Sequence, residues 1–237
     1  MIDRCVIYQF ETNNFIMKSY FLLSVILVCC NVFANAQTNY TWNGNTSTAW
    51  NIATNWTPNG IPSTADNVTI VTGSRNCNLA ANTTINNITF TSGTLDLGNN
   101  TLTANGTTAT FTAGTIQNGT FTISGATTTT IGSSNFIMNC MLNVTSAAIT
   151  ITKTTFQNTT TITKTGASND QSSGNNIFNG ALTITNSGAG YILLGNGNAD
   201  QFNSTATFNN TGSSHIYVAY NSSNNIFNGV TTFNNSP

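Results

Sequence analysis

Few residues in this sequence could carry out acid–base, nucleophilic or metal chemistry. Hydrolysis of a glycosidic bond needs two carboxyl groups about 5 to 9.5 Å apart, and Asp170 and Asp200 stand about one repeat apart. A lyase would need a cation or metal beside Lys153 or Lys164, where no carboxylates cluster, so we expect both lysines to be solvated. We predict that the protein is not an enzyme. The alternative is a polysaccharide lyase or glycoside hydrolase.

The histidine and the cysteines offer no further chemistry. His215 has no Cys, His or Asp partner nearby in sequence, so we expect neither a metal site nor a cofactor. It aligns with Tyr191 in successive repeats, which predicts an outward strand position. Cys77 and Cys140 lie far apart in the sequence with several repeats between them, which predicts unpaired thiols.

Composition points to an all-β protein. Only 5% of the 237 residues are charged, against about 25% in ordinary globular proteins. Threonine and asparagine together supply more than a third of the chain, and both types disfavour helix interiors. With 39% hydrophobic residues the chain is not a disordered one. The net charge of −1 and the absence of a basic run disfavour nucleic acid and anionic lipid as partners.

Internal repeats define the fold. Phe178, Phe202 and Phe227 open similar segments at nearly equal spacing. An Asn after the Phe position marks seven repeats whose spacing lengthens toward the end of the chain, and apolar and polar residues alternate after it. A unit of this length cannot bury its own apolar face, so repeats must stack as coils. We predict a right-handed parallel β-helix (β-solenoid) with an N-terminal cap.

Stacked coils place equivalent residues above one another. The marker Asn residues are expected to form a ladder at a turn, because Asn tolerates left-handed backbone and its amide can bond the copies above and below. Gly119, Gly180 and Gly229 suit the same turn. An internal aromatic column is expected from Phe156, Phe178, Phe202 and Phe227. The predicted ladder comprises Asn99, Asn118, Asn139, Asn158, Asn179, Asn203 and Asn228.

Threonines between the apolar positions form the candidate binding face. The outward pairs are Thr101 and Thr103, Thr120 and Thr122, and Thr205 and Thr207. Their hydroxyl groups predict multivalent binding to glycans or other surface polymers. A flat threonine array also suits ice binding, which is the second alternative. Asn143 and Ile162 are expected to interrupt that array.

The first 36 residues predict an export signal. The segment from Met17 has Lys18 as a short positive region, an apolar run over residues 20–33 and Ala34-Asn35-Ala36 as a cleavage site. Residues 1–16 are expected to be an upstream extension. Cleavage after Ala36 predicts a mature chain at the cell surface or outside the cell, with no membrane insertion.

The mature chain divides into two regions. Residues 37–75 hold Trp42, Trp50 and Trp56, which could cover the first coil as a cap or offer a stacking platform to a sugar. Asp66 is expected to bond backbone amides of the turn before a strand at 68–71. Residues 76–237 form the coils, and the incomplete last repeat suggests a piece of a longer protein.

A resemblance supports this interpretation. Residues 40–70 and the repeats resemble secreted adhesin-like and autotransporter-passenger-like repeat proteins of Gram-negative bacteria. The resemblance rests on Trp42, Asn43, Gly44, Trp50, Asn55, Trp56, Pro62, Asp66, Val68 and Ile70. It implies a parallel β-helix displayed at or released from the cell surface, with an adhesive or structural role.

Overall fold

The structure, a computed structural model, describes residues 36–236. The expected upstream extension and signal peptide before Ala36 lie outside this range. The described chain is almost entirely β, with a single 3-10 turn at Ala53–Asn55. Within it, no helix is long and apolar enough to cross a membrane.

The strands form a parallel β-solenoid, as the sequence predicts. Each full coil contributes three strands, and each strand pairs in parallel with its counterpart in the next coil. Three faces result. Face 1 comprises β5 (Thr83–Ile85), the end of β7 (Thr94–Ala104), the middle of β9 (Thr115–Ile131), the middle of β10 (Phe136–Ile151), β12 (Thr160–Lys164), β15 (Leu182–Asn186), β18 (Ala206–Asn210) and β21 (Thr231–Asn235).

Faces 2 and 3 are built in the same way. Face 2 comprises β1 (Asn39–Trp42), β3 (Asn67–Ile70), β6 (Ile88–Phe90), β8 (Thr108–Phe111), the ends of β9 and β10, and then β13 (Asp170–Gln171), β16 (Ile192–Leu193) and β19 (Ile216–Tyr217). Face 3 comprises β4 (Cys77–Asn78), the starts of β7, β9 and β10, and then β11 (Thr154–Phe156), β14 (Ile177–Phe178), β17 (Gln201–Phe202) and β20 (Ile226–Phe227).

Alternation along each strand sends apolar side chains into one continuous core between the faces. The predicted aromatic column on face 3 is confirmed. Phe156 stacks on Phe178 with ring centroids 4.7 Å apart, Phe178 on Phe202 at 5.3 Å, and Phe202 on Phe227 at 4.8 Å. Since a coil cannot bury these rings alone, the column ties neighbouring coils together.

The coils lengthen after β14, as the repeat spacing predicts. The extra residues form the loops between β16 and β17 and between β19 and β20, which contain residues 195–199 and 221–225. At the transition, β13 joins face 2 through side chains: the backbone N–H of Ile149 donates to Asp170 Oδ2 at 2.8 Å, and that of Ile151 donates to Ser172 Oγ at 3.0 Å. Strands β13, β16 and β19 therefore form a separate small sheet.

The turn glycines are required for close approach more than for backbone freedom. Gly119 does adopt a positive φ of 139°. Gly180 and Gly229 do not adopt a positive φ, so the expectation that glycine supplies left-handed backbone at this turn is wrong for them. A Cβ at Gly180 would overlap the Asn158 carbonyl group, and one at Gly229 would overlap that of Ser204. Glycine lets one turn lie directly on the backbone of the preceding coil.

The N-terminal region begins the winding and packs on it. Strand β1 pairs in parallel with β3 as the first rung of face 2, and β2 (Trp56–Thr57) pairs antiparallel with β1. Asp66 acts as expected at the turn before β3: it accepts hydrogen bonds from the Thr38 N–H at 2.9 Å and the Ser63 N–H at 2.8 Å. Burial by itself raises the pKa of Asp66, but the bonds from Ser63 and Thr38 outweigh it and lower the pKa below the ordinary value.

Candidate functional site

Face 2 carries an uninterrupted outward column of threonines, which the sequence reasoning missed. Six consecutive rungs place a half-buried Thr at the same register position. Only the first separation, between Thr41 and Thr69, differs clearly from the others, but threonine is so frequent in this chain that the alignment becomes visible only once the strand pairing is known. The column consists of Thr41, Thr69, Thr89, Thr110, Thr130 and Thr150.

Face 1 carries a second column, which includes some of the predicted threonines. Thr103 pairs with Thr122, and Thr101 pairs with Thr120 in the neighbouring column. Thr205 and Thr207 lie on the same face further along, also at outward positions. All six predicted side chains are half-buried or exposed. The column through Thr103 runs over eight rungs: Thr84, Thr103, Thr122, Asn143, Thr161, Thr183, Thr207 and Thr232.

One expected interruption of this column is wrong. Ile162 points inward and is buried, pairing with Val144 and Ile184, and Thr161 occupies the outward position. The error arises because counting from Asn158 shifts this coil by one residue. Asn143 is thus the one position out of eight that is not threonine.

The predicted asparagine ladder exists on face 3, but three of its seven predicted members are replaced by other residues, and it has one additional rung at Asn78. Asn179, Asn203 and Asn228 are in register: Asn203 Nδ2 donates to Asn179 Oδ1 at 2.7 Å, and Asn228 Nδ2 donates to Asn203 Oδ1 at 2.8 Å. Asn139 also belongs to the column, where it pairs with Gln117. The whole column consists of Asn78, Asp96, Gln117, Asn139, Gln157, Asn179, Asn203 and Asn228.

The prediction is wrong for three members of the ladder, which lie outside the column: Asn99, Asn118 and Asn158. The turn after face 3 shortens along the chain, with three residues between Asp96 and Asn100 opposite a single residue in the next coil. Asn99 and Asn118 occupy that turn with positive φ of 65° and 57°, as expected for Asn. Gln157 takes the place predicted for Asn158 in the ladder and accepts a hydrogen bond from Asn179 Nδ2 at 2.8 Å. Asn158 instead donates sideways to Asn139.

The three tryptophans are packing residues. Trp42 and Trp56 lie with ring centroids 5.0 Å apart, and Trp50 and Trp56 lie 4.6 Å apart. Trp56 Nε1 donates to the Trp50 carbonyl at 2.7 Å. All three side chains are buried within the core. A sugar-stacking platform needs an open ring face, so the sugar-platform alternative is wrong for these rings.

The aspartates proposed as a catalytic pair have different partners. Asp170 lies beside Lys164, with Nζ and Oδ2 3.8 Å apart, and accepts from Ser168 Oγ at 2.9 Å. Lys164 is 0% exposed and donates to the Gly166 carbonyl at 2.6 Å. The expectation of a solvated charge is therefore wrong for Lys164, whereas Lys153 is exposed. The pair of Lys164 and Asp170 stabilises the strand transition on face 2 from the inside.

Asp200 belongs to a buried polar column at the entry to face 3. Asn176 donates to Asp200 Oδ1 from its backbone N–H at 2.9 Å and from Nδ2 at 3.0 Å, and the Asp200 N–H donates to Asn225 Oδ1 at 2.8 Å. Oδ2 of Asp200 has no hydrogen-bond partner within the described residues. Burial raises the pKa of Asp200 from 3.8 to about 6, and the bonds from Asn176, with a smaller contribution from the Gly195 backbone, counter this only in part.

The remaining carboxyl group and the thiols also serve the structure. Asp96 accepts from Gln117 Nε2 and Asn118 Nδ2, both at 2.9 Å. Burial raises its pKa, but these bonds outweigh burial and bring the pKa below the ordinary value. Cys77 and Cys140 are free, as predicted, and both are buried. Burial raises the pKa of Cys140 to about 12 and that of Cys77 well above 9.0, which disfavours a reactive thiolate.

His215 lies outward next to Tyr191 in register, as predicted. The N–H of Ile192 donates to the His215 carbonyl, and the N–H of Asp170 donates to that of Tyr191. His215 stacks on Tyr217 at 5.5 Å. Among residues 36–236, no three His, Cys, Asp or Glu side chains group together as metal ligands would.

Comparison of the sequence with models of known protein families and with curated proteins, and of the structure with solved structures, found no match.

Proposed function

We propose that this chain is an extracellular or cell-surface binding protein, without enzymatic activity, that attaches to glycans or similar neutral polymers through its threonine columns. The observation that best supports this proposal is the six-rung threonine column of face 2. One neutral hydrogen bond contributes only about 1 kcal/mol. Hydroxyl groups repeated at the rung spacing of about 4.8 Å can engage a repeating polymer together, and the tethered contacts then reinforce one another.

The charge distribution supports a neutral ligand. Lys164, Asp170 and Asp200 are buried. The exposed Arg75 and Lys153 lie between strands, outside the strands of the three faces. On the described strands of faces 1 and 2, no Asp, Glu, Lys or Arg side chain is exposed. Binding driven by these faces should therefore depend weakly on salt, unlike binding through charged groups.

The proposals of export and of an adhesive role are supported by the sequence. The signal peptide predicted from Met17 to Ala36 supports a location outside the cell. The resemblance of residues 40–70 to adhesin-like repeat proteins supports an adhesive role. The parallel solenoid is the architecture that this resemblance implies.

The test is adsorption of the purified chain to solid cellulose, chitin, mannan and xylan, with reducing ends and unsaturated products assayed in parallel. Two variants place lysines in the columns: Thr110→Lys with Thr130→Lys on face 2, and Thr161→Lys with Thr183→Lys on face 1. The matched control adds the same charge in an exposed turn, as Ser133→Lys with Ser134→Lys.

We expect adsorption to at least one solid without product release, and a loss of at least tenfold in affinity in one column variant but not in the control. Adsorption to none of the solids contradicts the proposal, as does equal adsorption of both column variants and the control. Product release by the unmodified chain would favour the hydrolase or lyase alternative.

Ice binding is a second candidate because the threonine array is more regular than the sequence suggested. Thr161 stands where Ile162 was expected, which gives seven threonines in the eight rungs of face 1. Such an array could order water at an ice surface. The test is thermal hysteresis of the purified chain: a freezing gap abolished by Thr161→Lys with Thr183→Lys on face 1 supports ice binding, and the lack of any gap contradicts it.

A further inference from the structure

An aromatic cluster lies on the outside of face 2 in the coils that follow the threonine column. Tyr191 and Tyr217 have ring centroids 5.6 Å apart in an edge-to-face arrangement, and Tyr217 and Tyr220 have theirs 5.7 Å apart. His215 stacks on Tyr217 at 5.5 Å. We call Tyr191, His215, Tyr217 and Tyr220 the tyrosine cluster. It contains three of the four tyrosines in the described range.

The cluster is open to solvent and has an apolar base. Tyr217 is 39% exposed and Tyr220 is 48% exposed. Leu193 pairs with Tyr217 in register and is only 4% exposed, yet it is not a member of the internal core. It is therefore covered from the outer side of the strand. Exposed rings over an apolar base differ from the threonine and amide positions found elsewhere on face 2.

Polar groups at the edge of the cluster are held in place. Gln171 Nε2 donates to the Tyr191 hydroxyl at 3.0 Å, and the Tyr191 N–H donates to Asn169 Oδ1 at 3.2 Å. The nearest buried carboxylate, Asp170, is already paired with Lys164. The cluster thus combines ring faces, hydroxyl and amide groups, and it has no Asp, Glu, Lys or Arg side chain among its members.

We propose that the tyrosine cluster is a binding site for a neutral polysaccharide, in which a sugar ring stacks on Tyr217 or Tyr220. A sugar presents an apolar C–H face and a rim of hydroxyl groups, which match exposed aromatic rings flanked by amides. The site also continues the threonine column of face 2, which ends at Thr150, one rung before Gln171. A linear polymer along this face would meet threonine rungs and then the rings. This inference rests on the proposed function and names its ligand class.

The experiment titrates the purified chain with the hexasaccharides of β-linked glucose, N-acetylglucosamine, mannose and xylose, measured by calorimetry. The test variant is Tyr217→Ala with Tyr220→Ala. Tyr217→Phe keeps the ring as the conservative variant, and Ser133→Ala with Ser134→Ala is the matched control in an exposed turn. Circular dichroism and thermal unfolding check that each variant is folded.

At least one hexasaccharide should bind, and the double alanine variant should lose about fivefold or more in affinity, because stacking contributes about 0.5 to 1.5 kcal/mol per ring and 1.4 kcal/mol is tenfold. Tyr217→Phe and the serine control should stay within about threefold of the unmodified chain. Binding to no hexasaccharide, or unchanged binding by the folded double variant, overturns the site. If adsorption to solids still depends on the threonine columns, the proposed function survives that failure.

Discussion

Replacing Asp200 by Asn should stabilise the protein at neutral pH. Asp200 is 1% exposed and occupies a buried column between Asn176 and Asn225. Its Oδ2 atom has no partner among the described residues, so the ionised carboxylate is poorly satisfied. In Asp200→Asn the side-chain amide can place its oxygen at the Oδ1 position and its nitrogen at the Oδ2 position, and the buried charge disappears. The Oδ1 acceptor for Asn176 can be retained.

The magnitude follows from the pKa. Burial raises the pKa of Asp200 from 3.8 to about 6, and one pKa unit corresponds to about 1.4 kcal/mol. Because the folded state holds the proton more tightly than the unfolded state, the associated stability is fully present below pH 3.8. It is lost as the pH rises through about 6. The loss amounts to about 3 kcal/mol by pH 8.

The assay is urea unfolding followed by circular dichroism at pH 4 and pH 8, with the free energy of unfolding taken by linear extrapolation. Comparing the unmodified chain with Asp200→Asn removes the pH dependence of all other groups. The variant should gain about 2 to 3 kcal/mol relative to the unmodified chain between pH 4 and pH 8. Equal pH dependence in the two proteins would refute the reasoning, as would a variant that is less stable at pH 8.

Asp66→Asn is the matched control, with the opposite sign. The hydrogen bonds from Ser63 and Thr38 leave the pKa of Asp66 lowered despite its burial. Its contribution is therefore present above pH 3.8 and is lost as the pH falls through the lowered pKa. The variant should lose about 1 to 2 kcal/mol at pH 8, since its hydrogen bonds no longer involve a charge.

Three further predictions concern buried side chains. Lys164→Met should lower the free energy of unfolding by about 3 kcal/mol in urea, because it leaves the buried carboxylate of Asp170 without its ion-pair partner. Lys153→Met, at an exposed position, should change the free energy of unfolding by less than about 0.5 kcal/mol. Equal effects of the two substitutions would contradict this prediction. Phe178→Ala should lower the free energy of unfolding by about 3 to 5 kcal/mol in the same assay. Phe227→Ala should lower it clearly less, because the Phe227 side chain is 40% exposed. The reverse order would contradict the stacking. The two buried thiols should resist iodoacetamide in the native protein and react in urea, as followed by peptide mass spectrometry; rapid native labelling would contradict their burial.

Periodicity predicted the solenoid because stacking requires apolar residues to recur at every coil. The aromatic column from Phe156 to Phe227 could be found for that reason. The register could not be fixed from one marker residue, because the turn after face 3 changes length. Gln157 fills the place of an Asn in the ladder, so counting from Asn158 displaced a whole coil by one residue. A slip of one residue exchanges inward and outward positions. The right-handed sense of the winding stays a prediction from the usual chirality of parallel connections.

The candidate site was only partly predictable. The face 1 threonines could be found from T-x-T pairs, but the threonines of the face 2 column share no flanking residue type that recurs in all six rungs. In a chain so rich in threonine, no single one stands out. The burial of Lys164 was also hidden, because its partner Asp170 lies beyond the turn between β12 and β13, and the sequence does not show that this turn brings the two side chains together.

Crosslinking of neighbouring rungs tests the central claim, the in-register stacking of coils into columns, most directly. In Asn179→Cys with Asn203→Cys, the two Cα atoms should be about 4.8 Å apart, within disulfide range. In Asn179→Cys with Asn228→Cys, they should be about 10 Å apart, which is too far. We predict that mild oxidation forms the linked peptide within one chain in the first variant but not in the second. Equal crosslinking of the two variants, or none in the first, would contradict the stacked columns.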